Sequence, residues 1–360
     1  MPDASSFSSD YFSSRARFRS NALALGWSVD AVPVPPLGPN GEELTLEVAR
    51  IGPERPDRLV VVSSGLHGIE GFFGAAVQAA LLEERFVDWA PPPGLAVLLL
   101  HALNPFGFAN LRRVNENNVD LNRNFLLDGQ PYAGGPEGYA PLDPLLNPPT
   151  PPGGFEAFAL RAGWNIARYG MPALKEAVAG GQYDFARGLF YGGAGPQPTV
   201  EILRDRLPRW IGPAAHRVLH IDFHTGLGQR GTYKLLVDQP AGSLGADALR
   251  AAFGPAVQAW EKAGVSYAIR GGLGGWCKAR LPRVDYDVLA AEFGTVGILR
   301  VIAALRAENR ATHWCEAGDP RCGAARTELL EVFAPRDAGW RTGVVAEGVA
   351  IVDRALTALG

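Results

Sequence analysis

The sequence predicts an α/β fold, because short apolar runs of strand length alternate along the chain with longer segments of helical character. The predicted strands are rich in Val, Ile, Leu and Phe, and several are bounded by glycine. Buried strands that alternate with helices are typical of a mostly parallel or mixed sheet with helices packed on it. The predicted class is therefore an α/β sandwich.

The predicted elements begin with a helix and then extended segments within residues 1–50, around a proline-rich bend at residues 32–39. Strands are predicted at residues 58–64, 95–103, 216–224, 232–238, 265–269 and 288–293. Helices are predicted at residues 71–86, 243–264, 296–310 and 344–359, and a long loop rich in proline and glycine at residues 129–154. Because the chemically informative residues lie on both sides of that loop, residues 1–360 are interpreted as one domain.

Composition and charge favour a soluble globular protein without a polyanionic partner. Hydrophobic residues make up 47% of the chain, charged residues 20%, and the formal net charge is −3. No long basic run is present, so neither nucleic acid nor a membrane surface is predicted as a partner. The first residues do not have the pattern of a secretory signal, and three cysteines, Cys277, Cys315 and Cys322, are too few for a disulfide framework. A cytoplasmic protein with free thiols is expected, and a Cys315–Cys322 disulfide is the alternative.

The first motif with chemical content is the segment at residues 65–71 (GLHGIEG), between a predicted strand and a predicted helix. In open α/β sheets the carboxyl ends of strands are where ligands bind. His67 and Glu70, three residues apart, can turn toward one point, and imidazole nitrogen and carboxylate oxygen both suit Zn²⁺. The alternative is a surface histidine beside a glutamate that begins a helix.

A second candidate group lies on the strand predicted at residues 216–224. His216, His220 and His224 share one face of this strand by alternation, but positions two apart are separated by roughly 6–7 Å, so the three do not share a metal. His224, at the strand exit, is the predicted ligand, and His216 and His220 are interpreted as core or surface residues. Asp222 is expected on the opposite face, as a group that supports the site. Two histidines, a glutamate and a water would make the open coordination of a catalytic zinc.

A third candidate group, residues 104–107 (NPFG) and 112–125 (RRVNENNVDLNRNF), follows the strand predicted at residues 95–103. The segment is rich in hydrogen-bonding side chains. Arginine makes bidentate contacts with carboxylates and stabilises oxyanions. By itself the segment also fits a solvated polar loop.

The fourth candidate is Glu292, a carboxylate in the otherwise apolar strand predicted at residues 288–293. A glutamate in such a position is rarely without a partner. It is interpreted either as a member of a structural ion pair or as a general base.

Together, and in this order along the chain, the four groups resemble the zinc carboxypeptidase superfamily. That family has an HxxE pair, an arginine followed by an Asn-Arg pair, a later histidine, and a glutamate near the last core strand. Residues 113–125 are very similar to the family's R-x-N-x-N-G-V-D-L-N-R-N-F, with Asn118 in place of the usual glycine. Residues 104–107 also match. The similarity spans about residues 67–295.

The resemblance implies a three-layer α/β/α sandwich with a mixed, mostly parallel central sheet of about eight strands. It also implies that His67, Glu70 and His224 bind one Zn²⁺ ion, which makes hydroxide available near neutral pH. Glu292 would take the proton from the attacking water.

Two further roles follow from the resemblance. Arg113 would stabilise the oxyanion of the tetrahedral intermediate, and the spacing to Asn122 favours Arg113 over Arg112 for this role. Asn122 and Arg123 would hold a free carboxylate of the substrate. The predicted partner is therefore a peptide or an N-acyl amino acid.

The predicted activity is that of a metallocarboxypeptidase-like zinc hydrolase, which cleaves an amide bond next to a free carboxylate. Similarity to aspartoacylase and succinylglutamate desuccinylase, in the short gap between HxxE and Asn-Arg, makes an N-acyl amino acid deacylase the alternative. A second alternative is a non-catalytic metal- or ligand-binding protein, against which Glu292 argues. The family's mobile tyrosine is not assigned, because neither Tyr267 nor Tyr286 has a fitting context. Residues 271–276 (GGLGGW) are predicted to form a flexible loop beside the substrate.

Overall fold

Eight strands form one mixed sheet in the computed structural model, which describes residues 4–153, 180–259 and 270–360, together with Phe158, Leu160, Gly163 and Trp164. The strands are β1 (Ser28–Pro33), β2 (Thr45–Ile51), β3 (Arg58–Ser63), β4 (Leu95–His101), β5 (Arg217–Arg230), β6 (Tyr233–Val237), β7 (Val257–Ala259) and β8 (Asp285–Gly294). Their order in the sheet is β1-β2-β4-β3-β5-β8-β6-β7. The pairs β3–β4, β3–β5, β5–β8 and β6–β7 are parallel, and the other neighbours are antiparallel. The predicted mixed, mostly parallel sheet is confirmed.

Helices cover both faces of this sheet. Those with both ends in the described residues are α1 (Tyr11–Ala24), α2 (Gly71–Ala80), α3 (Pro105–Ala109), α4 (Tyr139–Leu146), α5 (Pro198–Ile211), α6 (Leu244–Phe253), α7 (Leu273–Arg280), α8 (Ile298–Trp314), α9 (Pro320–Phe333) and α10 (Ala338–Leu359). Side chains of β3 alternate between the two faces: Val60 and Val62 pack with α1, α2, α6 and α10, whereas Leu59 and Val61 pack with α5 and α7. The chain is therefore the three-layer sandwich that was predicted.

Two predicted elements were wrong. The helix predicted at residues 243–264 ends at Phe253, because Gly254 takes a left-handed conformation (φ +86°) and a proline that cannot continue a helix follows it. Residues 271–276, predicted as a flexible loop, contain the start of α7. Burial of Leu273 and Trp276 against the sheet outweighs the low helix propensity of the intervening glycines. The strand predicted at residues 265–269 lies outside the described residues.

Besides α7, four helices were not predicted: α3, α4, α5 and α9. Helix α4 lies inside the segment predicted as a loop at residues 129–154, of which Gly154 is outside the described residues. Helices α5 and α9 both carry proline in their first turn, and Asp319 caps α9 by accepting a hydrogen bond from the Arg321 backbone. Proline in the first turn and an aspartate cap are recognisable start signals, so these helices were detectable from the sequence.

The sheet brings the ends of three separate chain segments to one edge. Strands β3, β5 and β8 are adjacent and parallel, so their carboxyl ends lie side by side although they are far apart in sequence. His67 follows β3, His224 lies on β5, and Glu292 on β8 is the direct register partner of His224. A strand-order switch of this kind is where open α/β sheets bind ligands.

All three cysteines are free thiols, as expected, and Cys277 is buried. The Cys315–Cys322 disulfide that was the alternative does not form. None of the helices in the described residues is both long and apolar enough to cross a bilayer.

Candidate metal centre

Three buried side chains converge at the carboxyl edge of the sheet. His67, Glu70 and His224 each offer a ligand atom, and these atoms all lie within 4.8 Å of one another. His67 Nδ1 is 3.0 Å from Glu70 Oε1, and His224 Nδ1 is 3.0 Å from Glu70 Oε2. Both histidines thus present the same ring nitrogen to one carboxylate, and this donor set is one that can hold a metal ion.

Close packing of two loops sets the position of the HxxE segment. A Cβ on Gly68 would lie 2.2 Å from the backbone carbon of Gly107, so only glycine allows the approach. The Gly68 backbone N–H donates to the Arg113 carbonyl at 3.0 Å, and the Ile69 N–H donates to the Arg112 carbonyl at 2.8 Å. The loop that carries Arg113 therefore fixes the turn that carries the predicted metal ligands.

A carboxylate stands behind each histidine. His67 Nε2 is 3.0 Å from Asp120 Oδ1, and His224 Nε2 is 2.6 Å from Asp222 Oδ2. All four side chains are buried. Histidines that ligate a metal usually donate the N–H of the other ring nitrogen to a carboxylate, which fixes the tautomer and the direction of the ring. His224 Nε2 meets this requirement, whereas His67 Nε2 lies between Asp120 and the Arg113 Nη2, which is 2.8 Å away. The Nδ1 atoms of both rings face Glu70, so the donor set fits a metal ion bound at these atoms.

The expectation that Asp222 faces away from His224 was wrong. Positions two apart on a strand share a face, so alternation places Asp222 beside His224 rather than opposite it. The pairing of Asp120 with His67 was not predicted. The sequence shows an aspartate two residues before Asn122, but it does not show that this loop packs against the HxxE turn.

The two adjacent arginines have different surroundings. Arg113 Nη1 donates to Glu70 Oε1 at 2.8 Å, its Nε donates to Asp120 at 3.3 Å, and its Nη2 is 2.8 Å from His67 Nε2. A guanidinium has five donors, so these contacts leave some for a ligand. Arg112 instead forms a buried ion pair with Glu308 at 2.8 Å and donates to Asn118 Oδ1. The structure thus places Arg113, and not Arg112, beside the predicted metal ligands.

Asn118 stands where the similar family has glycine, and its backbone is in the left-handed region, with φ of 60°. Asparagine is one of the few residues that adopt this conformation at small cost. Its Oδ1 accepts from Arg112, and its amide donates to the Ala186 carbonyl at 3.1 Å. Asn118 can therefore form the left-handed turn for which the similar family uses glycine.

Asn122 and Arg123 lie just after Asp120, the residue that contacts His67. Asn122 lines a cavity of about 380 Å³ that also reaches His224, and its Oδ1 accepts from the Leu273 backbone at 3.2 Å. The Arg123 guanidinium is buried, and its Nε has no hydrogen-bond partner within the described residues. Burial lowers the pKa of Arg123 and the nearby Arg113 adds to this, while Asp120 opposes it. One N–H of this buried cation is therefore left unused within the described residues.

Glu292 is half-buried on β8 and is set apart from the other carboxylates by its proton affinity. Burial raises the pKa of Glu292 to about 7, and the negative charge of Glu70 adds to this, while His224, His67 and Arg113 oppose it. A carboxylate with a pKa near neutrality can both accept and release a proton at physiological pH.

Glu70 and His224 are shifted in the opposite sense. Burial alone would raise the pKa of Glu70, but His67, His224 and Arg113 hold it far below its usual range. Burial alone would lower the pKa of His224, but Asp222 and Glu70 raise it well above its usual range. Glu70 therefore remains an anion, and His224 holds a proton that a metal would have to displace.

A family profile described as "Protein of unknown function (DUF2817)" matches residues 7–347 of this chain. The chain belongs to the DUF2817 family. Its sequence matches no curated protein.

Several solved structures are similar to this DUF2817 member. Bovine thrombin-activatable fibrinolysis inhibitor, in complex with tick carboxypeptidase inhibitor, has 12% identity over 96% of this chain and 98% of its own, with a TM-score of 0.47. Carboxypeptidase A from Helicoverpa armigera has 14% identity over 94% of this chain and 73% of its own, with a TM-score of 0.45. Murein-tripeptide amidase MpaA from Escherichia coli O157 has 16% identity over 81% of this chain and 93% of its own, with a TM-score of 0.35.

Proposed function

We propose that this DUF2817 chain is a zinc-dependent hydrolase that cleaves an amide bond next to a free carboxylate. The observation that carries the proposal is the convergence of His67, Glu70 and His224 at one sheet edge, with Glu292 in register beside His224. A binding protein without turnover would have no use for a carboxylate whose pKa is raised to about 7 next to the metal ligands.

His67, Glu70 and His224 would hold the ion, with Asp120 and Asp222 orienting the two imidazoles. When bound, zinc would supply Lewis acidity and lower the pKa of a water molecule to roughly 7. A coordination position would stay open for water or substrate, because the described part of the chain offers three ligands rather than the four of a structural zinc site.

The remaining steps belong to the protein's own side chains. Glu292 accepts the proton of the attacking water and later transfers it to the leaving nitrogen. The free donors of Arg113 stabilise the negative charge that develops on the carbonyl oxygen. Arg123 and Asn122 position the substrate by its free carboxylate, since the Arg123 guanidinium is buried and retains an unused donor.

We predict that cleavage requires a free carboxylate. A peptide or N-acyl amino acid should be cleaved much faster than the same compound with that carboxylate converted to an amide. Arg123→Lys should weaken binding of the acid by roughly 10- to 100-fold, because an ammonium cannot replace the planar fork and a charge-assisted contact contributes about 1.5–3 kcal/mol. The measurement is kcat/KM for matched acid and amide substrates.

The exposed Arg209 offers a control for this test, since Arg209→Lys should leave both substrates unaffected. Equal cleavage of acid and amide by the unmodified protein would remove the assigned role of Arg123. A panel that includes both peptides and N-acyl amino acids separates the peptidase from the deacylase, because both offer the same carboxylate and differ only in the group on the other side of the amide.

We predict that zinc binding releases a proton and weakens at low pH. Because the pKa of His224 is raised, zinc must displace a proton from its Nδ1. The apparent Kd should therefore rise about tenfold for each pH unit below that pKa if one proton is displaced. Chelator-competition titrations between about pH 6 and pH 8 would measure this, and a pH-independent Kd would contradict it.

A further inference from the structure

A buried chain of hydrogen bonds runs from His224 away from the cavity. Beyond Asp222, the Ser63 Oγ donates to Asp222 Oδ1 at 2.5 Å and lies 2.7 Å from His220 Nε2. His220 Nδ1 is 3.0 Å from the Tyr286 hydroxyl. All of these side chains are at most 2% exposed, so water does not supply alternative partners.

The position of each proton in this chain follows from the donors and acceptors present. Both oxygens of Asp222 face a donor, since Oδ1 accepts from Ser63 Oγ and Oδ2 lies 2.6 Å from His224 Nε2. The single hydroxyl proton of Ser63 goes to Asp222, and His220 Nε2 must then be the donor to Ser63. Burial lowers the pKa of His220 to about 4, so the ring carries one proton and its Nδ1 accepts from Tyr286.

The chain links the three strands that meet at the metal centre. Ser63 is the last residue of β3, His220 and Asp222 lie on β5, and Tyr286 lies on β8. Ser63 and Asp222 are register partners in the sheet. Asp222 thus has one oxygen held by Ser63 and the other by His224 Nε2, which prevents the carboxylate from turning away from the ring.

We propose that Ser63, His220 and Tyr286 are positioning residues that act through Asp222 to aim His224 Nδ1 at the metal. This inference rests on the proposed metal site, but it assigns a role to residues that the proposed reaction does not use. The opposing interpretation is that these groups only satisfy one another in the core. The two interpretations differ in their effect on metal affinity, because groups that orient a ligating histidine alter it by roughly 10- to 100-fold when removed.

The test is the zinc affinity of the intact, purified chain, measured by competition with a chromogenic chelator. Ser63→Ala should weaken zinc binding roughly tenfold or more. Tyr286→Phe should weaken it by less, because the Tyr286 hydroxyl is two hydrogen bonds farther along the chain from Asp222 than Ser63 is. Ser64→Ala is a matched control. Ser64 is the next residue, is equally buried, and donates to Gln78 on the opposite face of the sheet at 3.0 Å.

Ser64→Ala should lower the thermal midpoint and leave the zinc Kd unchanged. If Ser63→Ala lowers the midpoint in the same way without changing the Kd, the positioning role is overturned. Should Ser63→Ala fail to fold, Tyr286→Phe carries the test, since it keeps the aromatic ring, and an unchanged Kd in that variant overturns the role.

A second measurement does not depend on metal. ¹⁵N NMR of the histidine rings should show His220 as the neutral form with its proton on Nε2, both without and with zinc. A proton on Nδ1 would overturn the inference. A wild-type chain that binds no zinc would overturn the proposed function and this inference together, whereas normal zinc binding with unaffected variants would overturn the inference alone.

Discussion

Glu292→Gln is expected to reduce kcat by roughly 100- to 10,000-fold and to leave one zinc bound per chain. Glutamine keeps the shape of the side chain, but it cannot accept the proton of the attacking water. The measurements are kcat on a cleavable substrate and zinc content after dialysis. Asp285→Asn, an exposed carboxylate on the same strand, is the control and should retain activity. Near-normal turnover by Glu292→Gln would make Glu292 a structural residue.

The same variant should stabilise the protein when no metal is present. The pKa of Glu292 is about 7 in the folded chain and 4.5 ordinarily, so the folded protein holds a proton in this pH window that the unfolded protein has released. The free energy of unfolding therefore falls as pH rises between these two pKa values, and the full destabilisation by the buried, charged Glu292 is present above about pH 7. Glu292→Gln should raise the free energy of unfolding by on the order of 1–3 kcal/mol above about pH 7 and have little effect near pH 4. Chemical denaturation at the two pH values measures this, and an equal effect at both would argue against a raised pKa.

His224→Ala is expected to abolish stoichiometric zinc binding and, with it, turnover. The loss removes one of three ligands and leaves Asp222 and Glu70 without the cation between them. Zinc content after dialysis and kcat are the measurements, and His67→Ala should give the same result. A thermal unfolding scan of each variant establishes that the fold is retained.

His216→Ala is the matched control for this prediction. His216 immediately precedes β5, is exposed, and was never a predicted ligand. It should keep both zinc and activity. Retention of one tightly bound zinc by both His224→Ala and His67→Ala would show that the metal, if any, binds elsewhere, and the mechanism proposed above would be wrong.

Part of the candidate site was accessible from local patterns. His67 and Glu70 lie three residues apart in a glycine-flanked turn, and His224 and Glu292 lie near the ends of apolar strands, so each could be singled out from its own neighbourhood. The resemblance to a known family then predicted that these residues form one metal site. The choice of Arg113 over Arg112 also came from motif spacing, and the structure places Arg113 there.

Some errors came from reading local signals incompletely. Alternation already implies that Asp222 and His224 share a face of β5, and the start signals of α9 were present at Asp319 and Pro320. The early end of α6 at Phe253 was likewise marked by Gly254 and the proline after it. By contrast, α7 has a weak helical sequence, and its formation depends on packing against the sheet.

The layered α/β class, the central strands of the sheet and the residue types that suit a metal follow from local patterns, because burial periodicity and ligand chemistry are properties of short segments. The fold alone brings Asp120 to His67 and arranges Ser63, His220 and Tyr286 as one chain behind Asp222. The cause is the strand order. Strands β3 and β5 are neighbours in the sheet, although more than a hundred and fifty residues separate them in the sequence. Hydrogen bonds across such distances in sequence depend on which strands pair, and pairing is settled by packing of the whole core.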